Sequence, residues 1–275
     1  MQLVTSELQQ WIAATKSTGA SFEALLSKMT AIGWPEEIAK KVLWNATAET
    51  HELASVRSAV PEPSMDKSPT KIAAGDMDVS VLLSMRAPRI VVFGNLLSVQ
   101  ECEKLIELAS PRLNRSTVVH NATGTNQTHA GRTSEGMFFE PGEYRLIQTI
   151  ERRLAKLVNW PIENGEGMQI LRYGPGTQYE PHYDYFLPDE AGTQIILQRG
   201  GQRVGSLVMY LNTPIQGGGT VFPDVQLEVA PQRGNAVFFS YDRPHSSTKT
   251  LHGGAPVILG EKWVATKWFR EGKFG

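Results

Sequence analysis

The fold of this chain is decided by the stretch Arg172-Tyr173-Gly174-Pro175-Gly176-Thr177-Gln178-Tyr179-Glu180-Pro181-His182-Tyr183-Asp184. If its end is a β-strand, His182 and Asp184 point to the same face, because side chains alternate along a strand. An imidazole and a carboxylate on one face supply two of the three ligands of a metal site, and a second imidazole would complete it. The alternative is a half-exposed strand whose polar residues face water.

Composition limits the classes to which the protein can belong. The chain has 275 residues and 41% hydrophobic residues, enough for one large domain, or a medium and a small one, with a sizeable core. A formal net charge of −1 gives no strong field for nucleic acid or an anionic membrane, so we expect neither as a partner. A single cysteine, Cys102, excludes an intramolecular disulfide and a thiolate metal cluster. With no long apolar run and no signal-like start, we expect a cytoplasmic protein.

Residues 1–57 predict a small all-helical unit. Leu8, Trp11 and Ile12 have helical spacing, a second helix follows Ser21 and ends at Gly33, and Pro35 opens a third. This unit is either a module that binds a protein partner or a packing extension of the main domain. In residues 58–78, Pro61, Pro63, Pro69 and Gly75 occur with few large apolar residues, and this predicts a linker at residues 58–85.

Residues 86–275 predict the main domain. Ser98-Val99-Gln100-Glu101 has the capping-box pattern and starts a helix. Pro141 opens an amphipathic helix whose charged face, which includes Glu151 and Arg153, is expected to be solvated. Short candidate strands broken by Gly and Pro follow: Met168–Tyr173, Arg203–Leu211, Gly219–Phe222, Leu227–Val229, Asn235–Ser240 and Lys262–Phe269. The pattern predicts an α+β fold with flanking helices and an antiparallel sandwich, barrel or jelly-roll core.

The third metal ligand has two candidates downstream of the His-Tyr-Asp motif. His245 follows the strand Asn235–Ser240, and His252 lies just before the last strand. Sequence distance does not choose between them. With either imidazole the set is the 2-His-1-carboxylate triad, which leaves open positions on the metal and suits non-haem Fe(II) oxygenases.

Five blocks carry a family resemblance. They are Tyr179–Asp184 (YEPHYD), Gly218–Pro223 (GGTVFP), Gly234–Phe239 (GNAVFF), His252–Val257 (HGGAPV) and Gly260–Trp268 (GEKWVATKW). In this order, and over roughly residues 88–272, the chain resembles the prolyl 4-hydroxylase branch of the Fe(II)/2-oxoglutarate dioxygenases. The resemblance implies a double-stranded β-helix (jelly-roll) core and makes His182, Asp184 and His252 the iron ligands and catalytic residues.

The same resemblance implies a site for the co-substrate 2-oxoglutarate. Lys262 would pair with its far carboxylate, Tyr173 would donate a hydrogen bond to it, and Thr220 would line the pocket. A dianion that enters a low-dielectric barrel needs a buried cation. Val264 and Trp268 share the strand face of Lys262, which favours an inward lysine over a surface lysine on an edge strand. Tyr173 has the alternative of a core aromatic.

The resemblance further implies contacts to a proline-containing peptide or protein substrate. The residues at the matching positions are Arg132, Ser134, Glu166, Tyr179, Arg203 and Trp268. The polar segment 112–136 would then be a lid, and the insertion from Phe186 to Gly201 a second loop near the mouth. For each residue the alternative is a solvent-facing polar group or a packing aromatic.

The implied reaction uses Fe(II), 2-oxoglutarate and O2, releases succinate and carbon dioxide, and hydroxylates a prolyl residue, with ascorbate as the reductant of stray Fe(III). Three alternatives remain at this point. The enzyme could hydroxylate another residue or a free amino acid, the chain could be a catalytically inert peptide-binding module on the same fold, or the jelly roll could use another metal.

Overall fold

The computed structural model describes residues 22–36, 38–39, 43, 59–115, 118–119, 126–127, 134–187 and 192–275. The chain divides into two compact units, one within residues 1–57 and one within residues 58–275. In these described ranges, no helix is both long enough and apolar enough to cross a bilayer.

The first unit contains helix α1, Phe22–Ala31. Leu25 and Met29 are buried, as expected for two apolar residues four positions apart on one helix face. The turn after the helix contains Gly33, which has a φ of +94°. The next amide, that of Trp34, donates back to the Met29 carbonyl at 3.1 Å and closes the helix end. The predicted helix around Leu8 and Ile12 lies outside the described residues.

The second unit holds three more described helices and all of the described strands. The helices are α2 (Val99–Ala109), α3 (Arg145–Leu157) and α4 (Thr193–Leu197). The strands are β1 (Lys71–Ala73), β2 (Asp78–Met85), β3 (Arg89–Gly94), β4 (Asn114–Arg115), β5 (Val118–Val119), β6 (Asn126–Gln127), β7 (Glu135–Phe139), β8 (Met168–Tyr173), β9 (Tyr179–His182), β10 (Arg203–Tyr210), β11 (Gln216–Gly217), β12 (Thr220–Phe222), β13 (Leu227–Val229), β14 (Ala236–Ser240), β15 (His252–Gly254), β16 (Val257–Leu259) and β17 (Lys262–Arg270).

Two antiparallel sheets organise this unit. The major sheet has nine strands in the order β1-β2-β3-β14-β10-β17-β8-β7-β4, and the minor sheet has four in the order β13-β12-β15-β9. From β8 onward the chain passes back and forth between them, with β8, β10, β14 and β17 in the major sheet and β9, β12, β13 and β15 in the minor sheet. The fold is therefore α+β with a large antiparallel sheet, consistent with a jelly-roll core.

The central strands of the major sheet are buried on both faces. On one face, Leu207 of β10 and Ala265 of β17 pack in a cluster with the apolar residues of α2 and α3. On the other face, Leu171 of β8 and Val264 of β17 pack in a second cluster with Phe222 of the minor sheet. All nine residues of β17 are buried, as expected for a central strand covered on both sides.

The charged face of α3 is solvated only in part. Arg145, Arg152 and Lys156 are exposed as predicted, but Glu151 and Arg153 are each only 4% exposed. Arg153 donates to the carboxylates of Asp76 at 2.7 Å and Glu101 at 2.6 Å, and Glu151 accepts from Lys267 Nζ at 2.6 Å. Buried charges require such partners. The prediction was wrong for these two residues because their partners come from distant parts of the chain.

The prediction of a linker over residues 58–85 is wrong from Lys71 to Met85. Strand β1 pairs with β2, and β2 pairs with β3, so both strands extend the major sheet. Val79 is buried, and Asp76 between the strands pairs with Arg153. The low apolar content that indicated a linker reflects strands near a sheet edge, where only one face needs large apolar side chains.

Candidate active site

Strands β9 and β15 bring two imidazoles side by side. His182 and His252 are direct partners in the antiparallel register, and their ring centroids lie 4.5 Å apart. Asp184 follows two residues after His182, and its Oδ1 lies 3.5 Å from His182 Nε2 while its Oδ2 lies 3.5 Å from His252 Nε2. One potential ligand atom of each residue falls within 4.8 Å of the others.

Each imidazole is oriented by a backbone carbonyl. His182 Nδ1 lies 2.9 Å from the Glu180 carbonyl, and His252 Nδ1 lies 2.9 Å from the Thr250 carbonyl. Because a carbonyl only accepts, each Nδ1 carries the hydrogen and each Nε2 keeps its lone pair when the ring is neutral. This is the arrangement by which metal-binding histidines are fixed in structures.

The environment favours the ligand forms of these groups. Burial lowers the pKa of His252 to about 4, although the Asp184 carboxylate opposes the shift, so the imidazole is neutral at pH 7. Burial by itself raises the pKa of Asp184, but the two neighbouring imidazoles and Arg203 hold it below its ordinary value. The carboxylate is therefore ionised.

This donor set fits a divalent metal. A buried carboxylate and two imidazole lone pairs converge, and a cation at their common point would compensate the negative charge. Two nitrogen ligands and one oxygen ligand with open positions suit Fe(II). His245 does not take part, since it is exposed and its Nδ1 accepts from the Ser247 amide at 3.1 Å, which caps a short 3₁₀ turn.

A pocket extends from the triad between the two sheets, and Lys262, Tyr173 and Thr220 all line it. Lys262 is 4% exposed and lies opposite Tyr173 in the register of β17 and β8. Its Nζ is 5.5 Å from the Tyr173 ring centre, and among the described residues it has no hydrogen-bond acceptor. Burial lowers the pKa of Lys262 to about 8, so the ammonium is still the main form at pH 7. Thr220 Oγ1 accepts from the Tyr210 hydroxyl at 2.7 Å.

The residues predicted to contact substrate divide into two groups. Tyr179 and Trp268 line the pocket, and the Tyr179 ring stacks on His182 with 3.9 Å between centroids. Glu166 and Arg203 do not line it. They form a two-pronged ion pair, with Arg203 Nε and Nη2 donating to Glu166 at 2.6 and 2.8 Å.

The ion pair of Glu166 and Arg203 lies beside the pocket wall. The Arg203 guanidinium lies over the Trp268 ring at 4.0 Å from its centre, and Arg270 adds a 3.0 Å bond to Glu166. Ser134 is 1% exposed and is not among the pocket-lining residues. Arg132 lies outside the described residues.

Sequence reasoning missed two polar residues of the pocket. Gln169 and Thr266 line it, and they are cross-strand partners on β8 and β17. Gln169 shares its strand face with Tyr173, and Thr266 shares its face with Lys262, because positions two and four apart point the same way. The alternation along these strands was the signal that could have found them.

The triad has the ligand composition of mononuclear non-haem iron enzymes. It lies in a fold that is consistent with a jelly roll, and a buried lysine lies in the same pocket. The model of the 2OG-Fe(II) oxygenase superfamily matches residues 168–270. Prolyl 4-hydroxylase 5 of Arabidopsis thaliana is 41% identical over 208 residues, which cover 68% of this chain and 70% of that protein. Prolyl 4-hydroxylase 1 of the same plant is 42% identical over 203 residues, which cover 67% and 70%.

One solved structure is similar in fold and sequence. It is the 2OG complex of the viral collagen prolyl hydroxylase vCPH from Paramecium Bursaria Chlorella virus-1, with a TM-score of 0.52, 30% identity, and coverage of 66% of this chain and 94% of that one. The chain belongs to the prolyl 4-hydroxylase family of 2OG-Fe(II) oxygenases, and it is a 2-oxoglutarate-dependent dioxygenase.

Proposed function

We propose that this enzyme hydroxylates a prolyl residue within a peptide or protein and couples this reaction to the decarboxylation of 2-oxoglutarate to succinate. The observation that carries the proposal is the meeting of His182, Asp184 and His252 in one pocket with the unpaired ammonium of Lys262. The similarity to the Arabidopsis prolyl 4-hydroxylases supports the choice of target residue.

The three ligands divide the work of holding iron. When their rings are neutral, His182 and His252 each present an Nε2 lone pair, and Asp184 supplies the one negative charge. Bound Fe(II) supplies the activation of O2 that hydroxylation of a C–H bond requires. Two of the three ligands are shielded from water, since His252 and Asp184 are only 5% and 7% exposed, whereas His182 is partly exposed.

Lys262 binds the far carboxylate of 2-oxoglutarate in this proposal. A buried ammonium without an acceptor among the described residues is costly, and the incoming carboxylate supplies the missing partner. The Tyr173 ring lies beside it, and the Tyr210–Thr220 hydrogen bond fixes a hydroxyl on the same pocket wall. Binding of 2-oxoglutarate would therefore give the buried Lys262 ammonium a hydrogen-bond acceptor.

The rest of the pocket suits a neutral side chain of a peptide. Tyr179 and Trp268 offer aromatic surface to an apolar ring. Trp268 Nε1 is buried without a hydrogen-bond partner among the described residues, so its N–H is available to a substrate carbonyl. From the family resemblance alone, we infer that Arg132 and Ser134 contribute to peptide binding. Ascorbate serves as the external reductant.

A free amino acid is a poorer fit. Its zwitterion needs a cation and a carboxylate of its own, as buried charges require partners. Of the described pocket-lining residues, Lys262 is the only cation and Asp184 the only carboxylate, and both are used. Arg203 is committed to Glu166. This observation favours a peptidyl substrate.

The test is an assay with Fe(II), 2-oxoglutarate, ascorbate and three alternative substrates. We expect a proline-containing peptide to gain one oxygen and to release succinate in equal amount, while the same peptide with alanine for proline and free proline remain unchanged. His252→Ala serves as the metal-site control. Hydroxylation of free proline but not of the peptide would overturn the proposal, and so would tight binding of the peptide without any modification.

A further inference from the structure

Asp184 is held by a side chain that is not a metal ligand. Ser206 Oγ donates to Asp184 Oδ2 at 2.6 Å, and Ser206 is fully buried in β10. A hydroxyl-to-carboxylate bond of this length is a strong, charge-assisted one. Ser206 is not among the residues that line the pocket, so the proposed function leaves it unexplained.

A tyrosine extends this arrangement by one more hydrogen bond. The Tyr241 hydroxyl lies 3.0 Å from Ser206 Oγ, and Tyr241 is 2% exposed. Ser206 has one hydroxyl hydrogen, and it donates this hydrogen in its bond to the Asp184 carboxylate. The Tyr241 hydroxyl must therefore donate to Ser206, and the direction of the whole series is fixed from Tyr241 through Ser206 to Asp184.

This series treats the two oxygens of Asp184 differently. Oδ2 accepts the Ser206 bond and lies 3.5 Å from His252 Nε2, whereas Oδ1 lies 3.5 Å from His182 Nε2. That nitrogen carries no hydrogen when its ring is neutral and Nδ1 donates to the Glu180 carbonyl. Oδ1 therefore keeps its lone pairs for a metal.

We propose that Ser206 and Tyr241 are positioning residues that make Asp184 a one-oxygen metal ligand through Oδ1. A carboxylate free to turn can bind a metal through both oxygens, which would occupy one more coordination position. Ligation by two imidazoles and a single carboxylate oxygen would leave more positions on a bound Fe(II) for 2-oxoglutarate and O2. The pair thus keeps open the positions that the reaction needs.

Packing around Tyr241 supports a fixed role for this residue. Its ring lies at 5.9 Å from that of Tyr185 in an edge-to-face arrangement and at 6.2 Å from that of Phe239. Phe239 in turn packs on the His252 ring at 4.5 Å. Phe239 therefore packs both on Tyr241, whose hydroxyl bonds to Ser206, and on the metal ligand His252.

The experiment measures Co(II) binding to the metal-free full-length protein, without 2-oxoglutarate or peptide. We expect Ser206→Ala to weaken Co(II) affinity about 10- to 100-fold, as loss of a hydrogen bond to a ligand typically does. Ser206→Thr, which keeps the hydroxyl, should stay within about threefold of the wild type. Tyr241→Phe should fall between the two.

A matched control and a double variant separate positioning from general packing. Tyr185→Phe also removes a phenol hydroxyl from a buried tyrosine that packs on Tyr241, but this hydroxyl does not contact Ser206, so Co(II) affinity should not change. In the Ser206→Ala background, Tyr241→Phe should have no further effect, because the two hydroxyls act as one series. Thermal melting of each metal-free variant shows whether it is folded.

The inference rests on the metal centre of the proposed function but not on the substrate. Unchanged Co(II) affinity in folded Ser206→Ala would overturn it, and so would an additive loss in the double variant. If Ser206→Ala does not fold, an unchanged affinity in Tyr241→Phe overturns it equally. A failure of the prolyl assay would leave all of these results in place, so the two proposals fail separately.

Discussion

Lys262 and Lys267 are two buried lysines of one strand, β17, and only one of them has an ionic partner. Lys267 Nζ lies 2.6 Å from Glu151, whereas Lys262 Nζ faces the rings of Tyr173 and Tyr210 at 5.5 and 5.9 Å. The first lysine contributes to a satisfied buried ion pair. The second has no ion-pair partner at such a distance among the described residues, although Glu228 attracts it electrostatically, and burial makes its ammonium form unfavourable.

The first prediction concerns this difference. Lys262→Met should raise the free energy of unfolding of the ligand-free protein at pH 7. Burial lowers the pKa of Lys262 from 10.5 to about 8, and a shift of this size corresponds to roughly 3 kcal/mol. Lys267→Met should act in the opposite direction and cost roughly 3–5 kcal/mol, because it leaves Glu151 buried and unpaired.

Urea unfolding of both variants and the wild type checks these values, and pH provides a further control. Between about pH 8 and 10.5 the folded wild type binds fewer protons than the unfolded chain, so its stability rises with pH in this interval. Lys262→Met should lose this rise. Destabilisation by Lys262→Met at pH 7 would contradict the view of Lys262 as an uncompensated buried charge.

The second prediction is the pH dependence of 2-oxoglutarate binding. Only the ammonium form of Lys262 attracts a carboxylate, and burial lowers the pKa of this residue to about 8. The affinity should be constant below this pH and fall above it, by up to tenfold per pH unit. Calorimetric titration across this range measures the effect.

Two variants serve as controls for the titration. Lys262→Arg keeps its charge at every pH of the experiment and should bind with a flat profile, although more weakly, because its planar group differs in shape. Lys262→Ala should mainly raise the requirement for 2-oxoglutarate. An equally steep fall in the arginine variant would assign the pH dependence to another group.

The third prediction concerns the histidines. His182→Ala and His252→Ala should each abolish turnover and Co(II) binding, since each removes one of three ligands. His245→Ala should retain most of both, because His245 is exposed and only caps a 3₁₀ turn. Activity and metal content of the three purified variants decide the matter. Loss of metal in the His245 variant would contradict the assignment of the triad.

The strands that build the site were predictable from local patterns. Strand β8 was predicted at its observed bounds, Met168–Tyr173, and β10 was predicted one residue longer than Arg203–Tyr210. Alternation and β-branched residues identify such segments without knowledge of their partners. The common face of His182 and Asp184 followed from the same rule.

Features that depend on distant partners were not predictable in this way. Residue patterns left His245 and His252 open, since the pairing of β15 with β9 is a register between segments far apart in sequence. Only the family resemblance favoured His252. The pairing of Glu166 with Arg203 and the two bonds behind Asp184 likewise join separate strands. No local period marks them.

The fourth prediction tests the buried charge cluster around Arg153 on α3, which no local sequence pattern predicts. Arg153 binds the carboxylates of Asp76 and Glu101 and the Leu96 carbonyl, the last at 2.8 Å. It thereby joins α3, the start of α2 and the turn between β1 and β2. Arg153→Met should lower the free energy of unfolding by roughly 3–5 kcal/mol, because Glu101 would lose its cation while partly buried.

The neighbouring arginine provides the matched control for this prediction. Arg152 is exposed, and its contact within the described residues is a 3.4 Å bond to the Gln148 amide oxygen. Arg152→Met changes the same number of atoms one position along the helix and should alter stability by less than about 0.5 kcal/mol. Urea unfolding of both variants at neutral pH gives the comparison. The predicted difference depends on the two carboxylates that Arg153 contacts and Arg152 does not. Equal effects of the two substitutions would therefore show that Arg153 contributes no more to stability than an exposed arginine.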